Sequence, residues 1–169
     1  MKSTSAVRRV DDLGRVVIPK EIREKLRLLA GSSVDVCLSE EKIVITKRSF
    51  IKNILDFADM CVQSFANFSD LAIFVCDTQN ILAKNKNCKD FKSHLDVKFF
   101  EVLTKAKPQI LQSEQVILFS QQKFVSQAIF PIVAQGEVCG GIVVMSKKYM
   151  QDFSFVYPTQ KFLENYMSN

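Results

Sequence analysis

Basic side chains crowd the beginning of this chain. Eight lysines and arginines fall within the first 27 residues, and seven of them lie on a predicted hairpin and helix. Six of these seven are the candidate binding residues: Arg8, Arg9, Arg15, Lys20, Arg23 and Arg27. A guanidinium group is always charged and can bond a phosphate or the edge of a guanine with two donors. Arginines held in a fixed array are therefore suited to binding a polyanion, and duplex DNA is the polyanion that this pattern favours.

Two hairpins are expected around these residues. Residues 6–11 and 15–18 have the apolar, β-branched character of strands, and Gly14 can take the positive φ that the turn between them needs. Residues 33–38 and 42–47 alternate between apolar and polar side chains, which predicts a second strand pair with a turn between them.

A helix is expected between the hairpins. Pro19 suits its first position, where no amide hydrogen is missed. The apolar residues Ile22, Leu26 and Leu29 recur at helical spacing, and Gly31 is expected to end the helix. At 3.6 residues per turn, three basic residues fall within about 60° of one another. They form a basic stripe opposite the apolar one: Lys20, Arg23 and Arg27.

Charge and aromatic content both divide the chain. Residues 1–50 hold 11 Lys and Arg against 7 Asp and Glu, a net charge of +4, while the remainder holds 12 against 11. All 14 Phe and all 3 Tyr lie at position 50 or later. We therefore predict two domains, residues 1–49 and 50–169, that join near residues 48–51. Proteins that read RNA or single strands stack bases on aromatic rings, so the missing rings favour duplex DNA.

The first domain is small for an independent fold. Fewer than 50 residues without aromatic side chains seldom bury enough surface to be stable alone. A dimer in which two copies share one core would solve this problem and would match the two-fold character of duplex DNA. The competing interpretation of the basic residues is a solvated charged face.

The second domain has the pattern of an α+β fold with an antiparallel sheet. Gly140 and Gly141 lie inside a predicted strand, which indicates a bulge or a close-packing site. Four phenylalanines are expected in the core rather than around a cofactor: Phe99, Phe100, Phe119 and Phe130. The expected elements are a helix at 50–68, strands at 71–77 and 81–84, a helix at 96–105, strands at 115–119, 125–134 and 138–146, and a helix at 159–167.

Metal binding, catalysis and membrane insertion are not indicated. The five cysteines are widely spaced with no C-x-x-C motif, and His94 is the sole histidine. No apolar run approaches the ~18 residues that span a bilayer, and the first residues have no apolar signal core. We expect no metal, no cofactor, no catalytic residue and a cytoplasmic location.

One cysteine keeps a catalytic hypothesis open. Cys88 lies in a polar stretch between Lys86 and Lys89, whose charges could lower its pKa and activate the thiolate of a thiol enzyme or redox sensor. The simpler interpretation, which we favour, is that Cys88 is a neutral exposed thiol.

Two segments carry a resemblance to known proteins. The segment VRRVDDLGRVVIPKEIREKLRL, residues 7–28, resembles the swapped-hairpin DNA-binding domain of the AbrB, MazE and SpoVT family, and the match extends over residues 2–47. The segment FPIVAQGEVCGGIVVMSK, residues 130–147, resembles the closing hairpin of a GAF domain. The whole chain resembles the SpoVT branch of this family, in which the swapped-hairpin domain precedes a GAF domain.

The resemblance implies a DNA-binding dimer whose N-terminal chains interleave into a β-barrel, and control of late sporulation in a spore-forming bacterium. It places Arg8, Arg15 and Arg23 at positions of DNA contact. Relatives often carry a second basic residue after the one matching Arg23, where this chain has Glu24, which either repels phosphate or holds Lys20 or Arg27 in place.

The role of the second domain is open at this point. It could bind an unidentified small molecule between its sheet and residues 90–107, or it could join dimers into a tetramer. Pro158 is expected to interrupt the chain before a short last helix, which favours a dimer over a tetramer. An antitoxin is a further alternative, although the apolar C-terminal part is unlike a disordered toxin-wrapping tail.

Overall fold

The computed structural model describes residues 6–48, 55–65, 67–68, 70–117 and 122–168, with the side chains of residues 55 and 56 excepted. The chain divides into two units, Met1–Arg48 and Ser49–Asn169. The predicted join near residues 48–51 lies mostly outside the described residues and stays a prediction. Residues 51 and 54 of the helix predicted at 50–68, and Phe119 of the predicted core, lie outside the described residues too.

The N-terminal unit contains one short helix, α1 (Lys20–Lys25), and one hairpin, β1 (Val34–Ser39) with β2 (Lys42–Lys47). The strands are antiparallel, with Val34 opposite Lys47 and Ser39 opposite Lys42. The turn between them is tight, and its residue Glu40 has a φ of +54°. The second predicted hairpin is confirmed, with its first strand displaced by one residue.

The first predicted hairpin is wrong for the single chain. Residues 6–11 and 15–18 form no strand. Only the turn is closed, by hydrogen bonds from the Asp11 amide to the Arg15 carbonyl (3.0 Å) and from the Gly14 amide to the Asp11 carbonyl (2.9 Å). A strand is completed by a neighbouring backbone, and no other described segment of the chain pairs with these residues.

The helix predicted between the two N-terminal hairpins is longer than the observed helix α1. Pro19 does not take its first position but precedes it in an extended conformation, with φ −57° and ψ 148°. The helix ends at Lys25, so Leu29 and Gly31 lie beyond it. The apolar spacing of residues 22, 26 and 29 continues past the point where the backbone changes conformation.

The C-terminal unit is an α+β fold around a five-stranded antiparallel sheet of order β4-β3-β7-β6-β5. The predicted fold class is confirmed. The elements are α2 (Leu55–Ser64), β3 (Ala72–Asp77), β4 (Ile81–Lys84), α3 (Val97–Leu103), β5 (Gln109–Gln112), β6 (Ser126–Ala134), β7 (Glu137–Ser146) and α4 (Tyr157–Ser168).

The sheet is covered on both faces. Successive side chains of a strand point to opposite faces, and on β3 they divide accordingly between two clusters. Ile73 and Val75 pack in one cluster with residues of α2 and α4, whereas Phe74 packs in the other with Phe99 and Leu103 of α3. Both faces of β3 are therefore apolar, which explains its uninterrupted hydrophobic sequence.

Three elements differ from the sequence-based expectation. A strand was expected at 115–119, but β5 lies at Gln109–Gln112 and a single 3-10 turn follows it at Ser113–Gln115. The helix α2 ends at Ser64, short of residue 68. Pro158 does not interrupt α4 but lies in its first turn, where a helix tolerates proline because no intrahelical amide bond is lost.

Two polar side chains fasten α4 to the sheet. The buried Gln160 donates from Nε2 to the Pro131 carbonyl at 2.6 Å. The Glu164 carboxylate accepts a hydrogen bond from the Val133 amide at 3.3 Å. The pairing of β6 with β7 shifts register between Ile132 and Val133. Such a shift disrupts the ladder, and Glu164 satisfies the amide at that point.

The expected close packing at Gly141 is confirmed. A Cβ at this position would lie 2.8 Å from the Leu103 Cδ1 atom and 3.1 Å from the Phe130 carbonyl oxygen. Leu103 is fully buried, and the oxygen belongs to a neighbouring strand. Neither atom can move away freely, so the residue that lets α3 pack against the sheet must be glycine.

We predict that Gly141→Ala lowers the free energy of unfolding by about 1–3 kcal/mol, the usual cost of forcing an extra group into a packed core. Urea unfolding followed by circular dichroism measures it. The control is Gly136→Asn, in a turn where φ is +80° and no atom lies within 4 Å of a built Cβ. Asparagine tolerates positive φ, so the control should cost less. Equal costs would contradict this account of Gly141.

Candidate nucleic-acid interface

The turn before α1 is organised by one carboxylate. Asp11 Oδ1 accepts hydrogen bonds from the amides of Leu13 (3.0 Å) and Arg15 (2.8 Å). Its Oδ2 accepts from Arg15 Nε at 2.7 Å. The backbone bond from Arg15, and next the bond from its side chain, hold the pKa of Asp11 below its ordinary value. The acid therefore binds both the backbone and the side chain of the same arginine.

This contact orients the Arg15 side chain without covering it. The guanidinium is planar, so fixing Nε fixes the plane in which the two terminal nitrogens lie. The side chain remains 71% exposed. Within the described residues, Asp11 is its one side-chain partner, which leaves the terminal nitrogens available to an anion.

Arg8 and Arg9 precede this turn in an irregular, exposed segment. The Arg8 Nη1 atom donates to the carbonyl of Val7 at 2.8 Å. Among residues 6–48, no second element holds either side chain. The structure therefore places these two predicted residues at the surface but does not fix them against the helix.

Two of the predicted residues lie on α1. Lys20 and Arg23 are three positions apart, so they occupy neighbouring places on the helix surface. Lys20 Nζ lies 3.7 Å from Glu24 Oε1, and both side chains are largely exposed. The structure thus favours the interpretation in which Glu24 holds Lys20 in place. An exposed pair of this kind contributes little to stability.

Arg27 does not belong to the helical stripe in which it was predicted. Its φ is +52°, which is the left-handed region. The Leu28 amide donates to the Arg23 carbonyl (2.8 Å) and the Arg27 amide donates to the Glu24 carbonyl (3.1 Å). These two bonds form the Schellman termination, which satisfies the last carbonyls of a helix and usually has glycine at the position that Arg27 occupies.

Sequence reasoning missed two positioning residues. Lys47, at the end of β2, donates from Nζ to the Arg27 carbonyl at 3.2 Å and so ties the helix end to the hairpin. A cation near a helix C-terminus is favourable. Asp11 was missed as well. An aspartate at the start of a turn is a recognisable local signal, because its side chain can accept a hydrogen bond from the backbone amide two residues later.

The apolar side chains of the N-terminal unit are mostly uncovered. Of residues 6–48, Pro19 and Leu28 are the buried ones. Val7 is 91% exposed, and Leu13 and Val17 are each 74% exposed. Exposed apolar side chains of this size are available to an interaction surface.

Cys88 is buried, so the expectation of an exposed thiol is wrong. Its Sγ atom donates to the Ile73 carbonyl at 3.5 Å. Burial raises the pKa of the Cys88 thiol to about 12. Desolvation outweighs the nearby lysine charge, and a thiol with such a pKa is not an activated nucleophile. The described residues contain no group of three or more side chains suited to hold a metal.

Apolar side chains between the sheet and residues 90–107 belong to the core, and the ligand expected beside them stays a prediction. Phe74, Leu95 and Phe99 are fully buried there. Phe99 and Phe130 are core residues, as expected, whereas Phe100 is partly exposed. Among the described helices, none is long and apolar enough to cross a membrane.

Comparisons with known proteins match both units. Residues 53–159 match the family model described as stage V sporulation protein T C-terminal, transcription factor. Residues 7–52 match the model described as antidote-toxin recognition MazE, bacterial antitoxin. The C-terminal unit also resembles the crystal structure of the cyanobacteriochrome receptor PixJ, with a TM-score of 0.50 and 10% identity over 71% of this chain and 95% of that one. The unit has a GAF-like fold.

Two curated relatives come from Bacillus subtilis (strain 168). Stage V sporulation protein T is 32% identical over 155 residues, which cover 87% of this chain and 86% of that protein. The transition state regulatory protein AbrB is 47% identical over 47 residues, which cover 28% of this chain and 49% of that protein. Since a relative of 32% identity matches 87% of this chain, the chain belongs to the family of stage V sporulation protein T, whose members are transcription factors and not enzymes.

Proposed function

We propose that this protein is a cytoplasmic regulator of sporulation genes that binds duplex DNA as a homodimer. The residues that contact DNA are Arg8, Arg9, Arg15, Lys20, Arg23 and Arg27. One observation carries this proposal. Arg15 is held by Asp11 through Nε at 2.7 Å while its terminal nitrogens stay exposed, and a preorganised guanidinium of this kind fits a phosphate or a guanine edge.

The dimer follows from the uncovered apolar residues. A second copy would bring a backbone beside residues 6–11 and 15–18, which have the sequence of strands but no partner in one chain. It would also cover Val7, Leu13 and Val17. Both gains would come from one contact, which lies at the segment that carries Arg8, Arg9 and Arg15.

We predict that Arg15→Ala and Arg23→Ala each weaken binding to duplex DNA and leave the oligomer intact. Each lost phosphate contact should lower the slope of log affinity against log salt by ~0.9. Fluorescence anisotropy at several salt concentrations measures both quantities. The control is Lys98→Ala, which removes the same charge from the exposed face of α3 in the other unit. Unchanged affinity and slope in both arginine variants would reject the proposed interface.

A second prediction separates orientation from net charge. Asp11→Ala removes a negative charge, so simple electrostatics expects tighter DNA binding. We expect the reverse, about twofold to tenfold weaker binding, because Arg15 must then be ordered when DNA binds. Asp12→Ala is the matched control, since it removes the same charge from the exposed neighbouring residue. It should bind as tightly as the parent or tighter. If both variants bind more tightly, Asp11 does not position Arg15.

The C-terminal unit also carries an uncovered aromatic cluster. Phe57 of α2 contacts Tyr166 of α4 with ring centroids 4.6 Å apart, and Phe162 lies 6.2 Å from both rings. Phe162 is 50% exposed and Met60 is 63% exposed. We propose that this face joins two dimers into a tetramer, since two helices packed side by side can complete a bundle with a second pair.

We predict that Phe162→Ser converts the tetramer into dimers without unfolding the unit, because the side chain is half exposed and its loss leaves no cavity in the core. Light scattering coupled to size-exclusion chromatography gives the mass. Tyr149→Ser is the control, as it removes an aromatic side chain that is 64% exposed outside this cluster. If the parent protein is already a dimer, or if both variants keep its mass, the cluster is not the interface.

The alternatives considered from the sequence are not favoured. An antitoxin would need a disordered tail, whereas residues 72–168 contain the complete five-stranded sheet and α4. A thiol enzyme would need an activated cysteine, and the Cys88 thiol is buried with a raised pKa.

A further inference from the structure

A cleft of about 470 Å³, lined mostly by charged and polar residues, opens at one end of the sheet in the C-terminal unit. It is bounded by the entry to β3, the turn after β4, the entry to β6 and the end of β7. Four lysines line it in two pairs, Lys86 with Lys89 and Lys147 with Lys148. Two acids, Asp70 and Asp90, lie there too, so the lining carries two more positive than negative charges.

The first lysine pair is carried by an anchored turn. Asn85 and Asn87 each donate from Nδ2 to the Leu71 carbonyl at 2.8 Å, which ties this turn to the entry of β3. The Lys84 ammonium donates hydrogen bonds to the carbonyls of Lys89 and Phe91, at 3.3 and 3.2 Å. These bonds fix the backbone around Lys86 and Lys89 and leave those two side chains exposed.

The second pair is held in a similar way. The buried Ser146 accepts a hydrogen bond from the Lys148 amide at 3.0 Å. The Lys148 carbonyl accepts one from Ser126 Oγ at 3.2 Å. Within the described residues, the ammonium groups of Lys147 and Lys148 have no ion-pair partner. Two pairs of lysines without an ion-pair partner among the described residues therefore line one cleft from turns that hydrogen bonds anchor.

We infer that this cleft binds a small phosphorylated molecule with two adjacent phosphate groups. Ammonium groups bind phosphate as point charges, and low-dielectric walls strengthen their field inside a cleft. An apolar ligand is disfavoured because the one large apolar side chain of the lining, Phe124, is itself buried. An extended nucleic acid is disfavoured because Asp70 and Asp90 would repel a continuous run of phosphates, whereas a compact anion can keep to the lysines.

The two acids suit the rest of such a ligand. Asp70 has no partner among the described residues, and Asp90 accepts a long hydrogen bond of 3.4 Å from Gln122 Nε2. A carboxylate accepts hydrogen bonds only, so hydroxyl or amino groups attached to the phosphates would be recognised at this side of the cleft. Binding here would add a sensing role to the GAF-like unit and does not depend on the proposed DNA contacts.

The test is calorimetric titration of the full chain with sodium pyrophosphate at low salt. We expect Lys86→Gln with Lys89→Gln, and separately Lys147→Gln with Lys148→Gln, to weaken binding about tenfold or more, as loss of two nearby charges requires. The control pair, Lys98→Gln with Lys105→Gln, removes the same charge from exposed residues outside the lining. No binding by the parent, or equal weakening in the control pair, would overturn the assignment.

Two further arms sharpen the result. Tighter binding of adenosine diphosphate than of pyrophosphate would assign a nucleotide, and equal binding would assign the phosphates alone. Duplex DNA affinity measured on the same variants should be unchanged. If the cleft variants lose DNA affinity and the parent does not bind pyrophosphate, the cleft is a DNA contact and the small-anion site is rejected. Loss of DNA binding in the arginine variants, with pyrophosphate binding retained, tests the DNA interface separately.

Discussion

The N-terminal unit carries more apolar side chain than its own chain can cover. Val36, Leu38 and Ile43 of the hairpin are more than half exposed, like Val7, Val10 and Val17 before α1. Each Å² of such surface gains about 25 cal/mol when water is removed from it. Under the proposed function, a second copy covers this surface, and the segment that would pair with that copy also bears the arginines. Under the proposed function, assembly and DNA recognition are one equilibrium, so apparent DNA affinity depends on protein concentration.

The C-terminal unit has the opposite character. Its sheet is covered on both faces, by α2 and α4 on one side and by α3 on the other. Polar groups complete the packing where the ladder is irregular, as at Val133 and Glu164. Because this unit covers its own core, the outer surfaces of its helices and its cleft are available to bind other molecules. The aromatic cluster on α2 and α4 and the lysine cleft lie on such surfaces.

Sequence reasoning succeeded where the signal is local. The strand β4 and the turn at Gly136 were predicted correctly, because a short apolar segment and a left-handed glycine are short-range features. The helix α3 was predicted nearly to its bounds, and Asp96 caps its first turn by accepting from the Phe99 amide at 2.7 Å. Among the candidate site residues, those on α1 and the turn are exposed as expected, except that Arg27 leaves the helix.

The errors arise where the conformation or the burial of a residue depends on distant parts of the chain. Residues 6–18 have strand-like sequence, but the pairing that makes a strand is not supplied within one chain. Arg27 gives no warning that it takes a left-handed conformation, because glycine is the usual signal there. Cys88 has polar neighbours in sequence, yet its turn folds the thiol under Ile73. Burial of a single side chain depends on the tertiary fold and is not encoded in its neighbours.

Asp11 gives the turn before α1 a particular response to its surroundings. Its folded-state pKa lies below the ordinary value of 3.8. A depressed carboxyl pKa contributes stability that is fully present above the unfolded pKa and is lost only as the pH falls through the lower, folded value. The carboxylate thus remains charged at any pH near neutrality. The orientation that it gives to Arg15 therefore does not change with pH in that range. The exposed ion pair is instead weakened by salt, so ionic strength, not acidity, is the solution variable to which this turn responds.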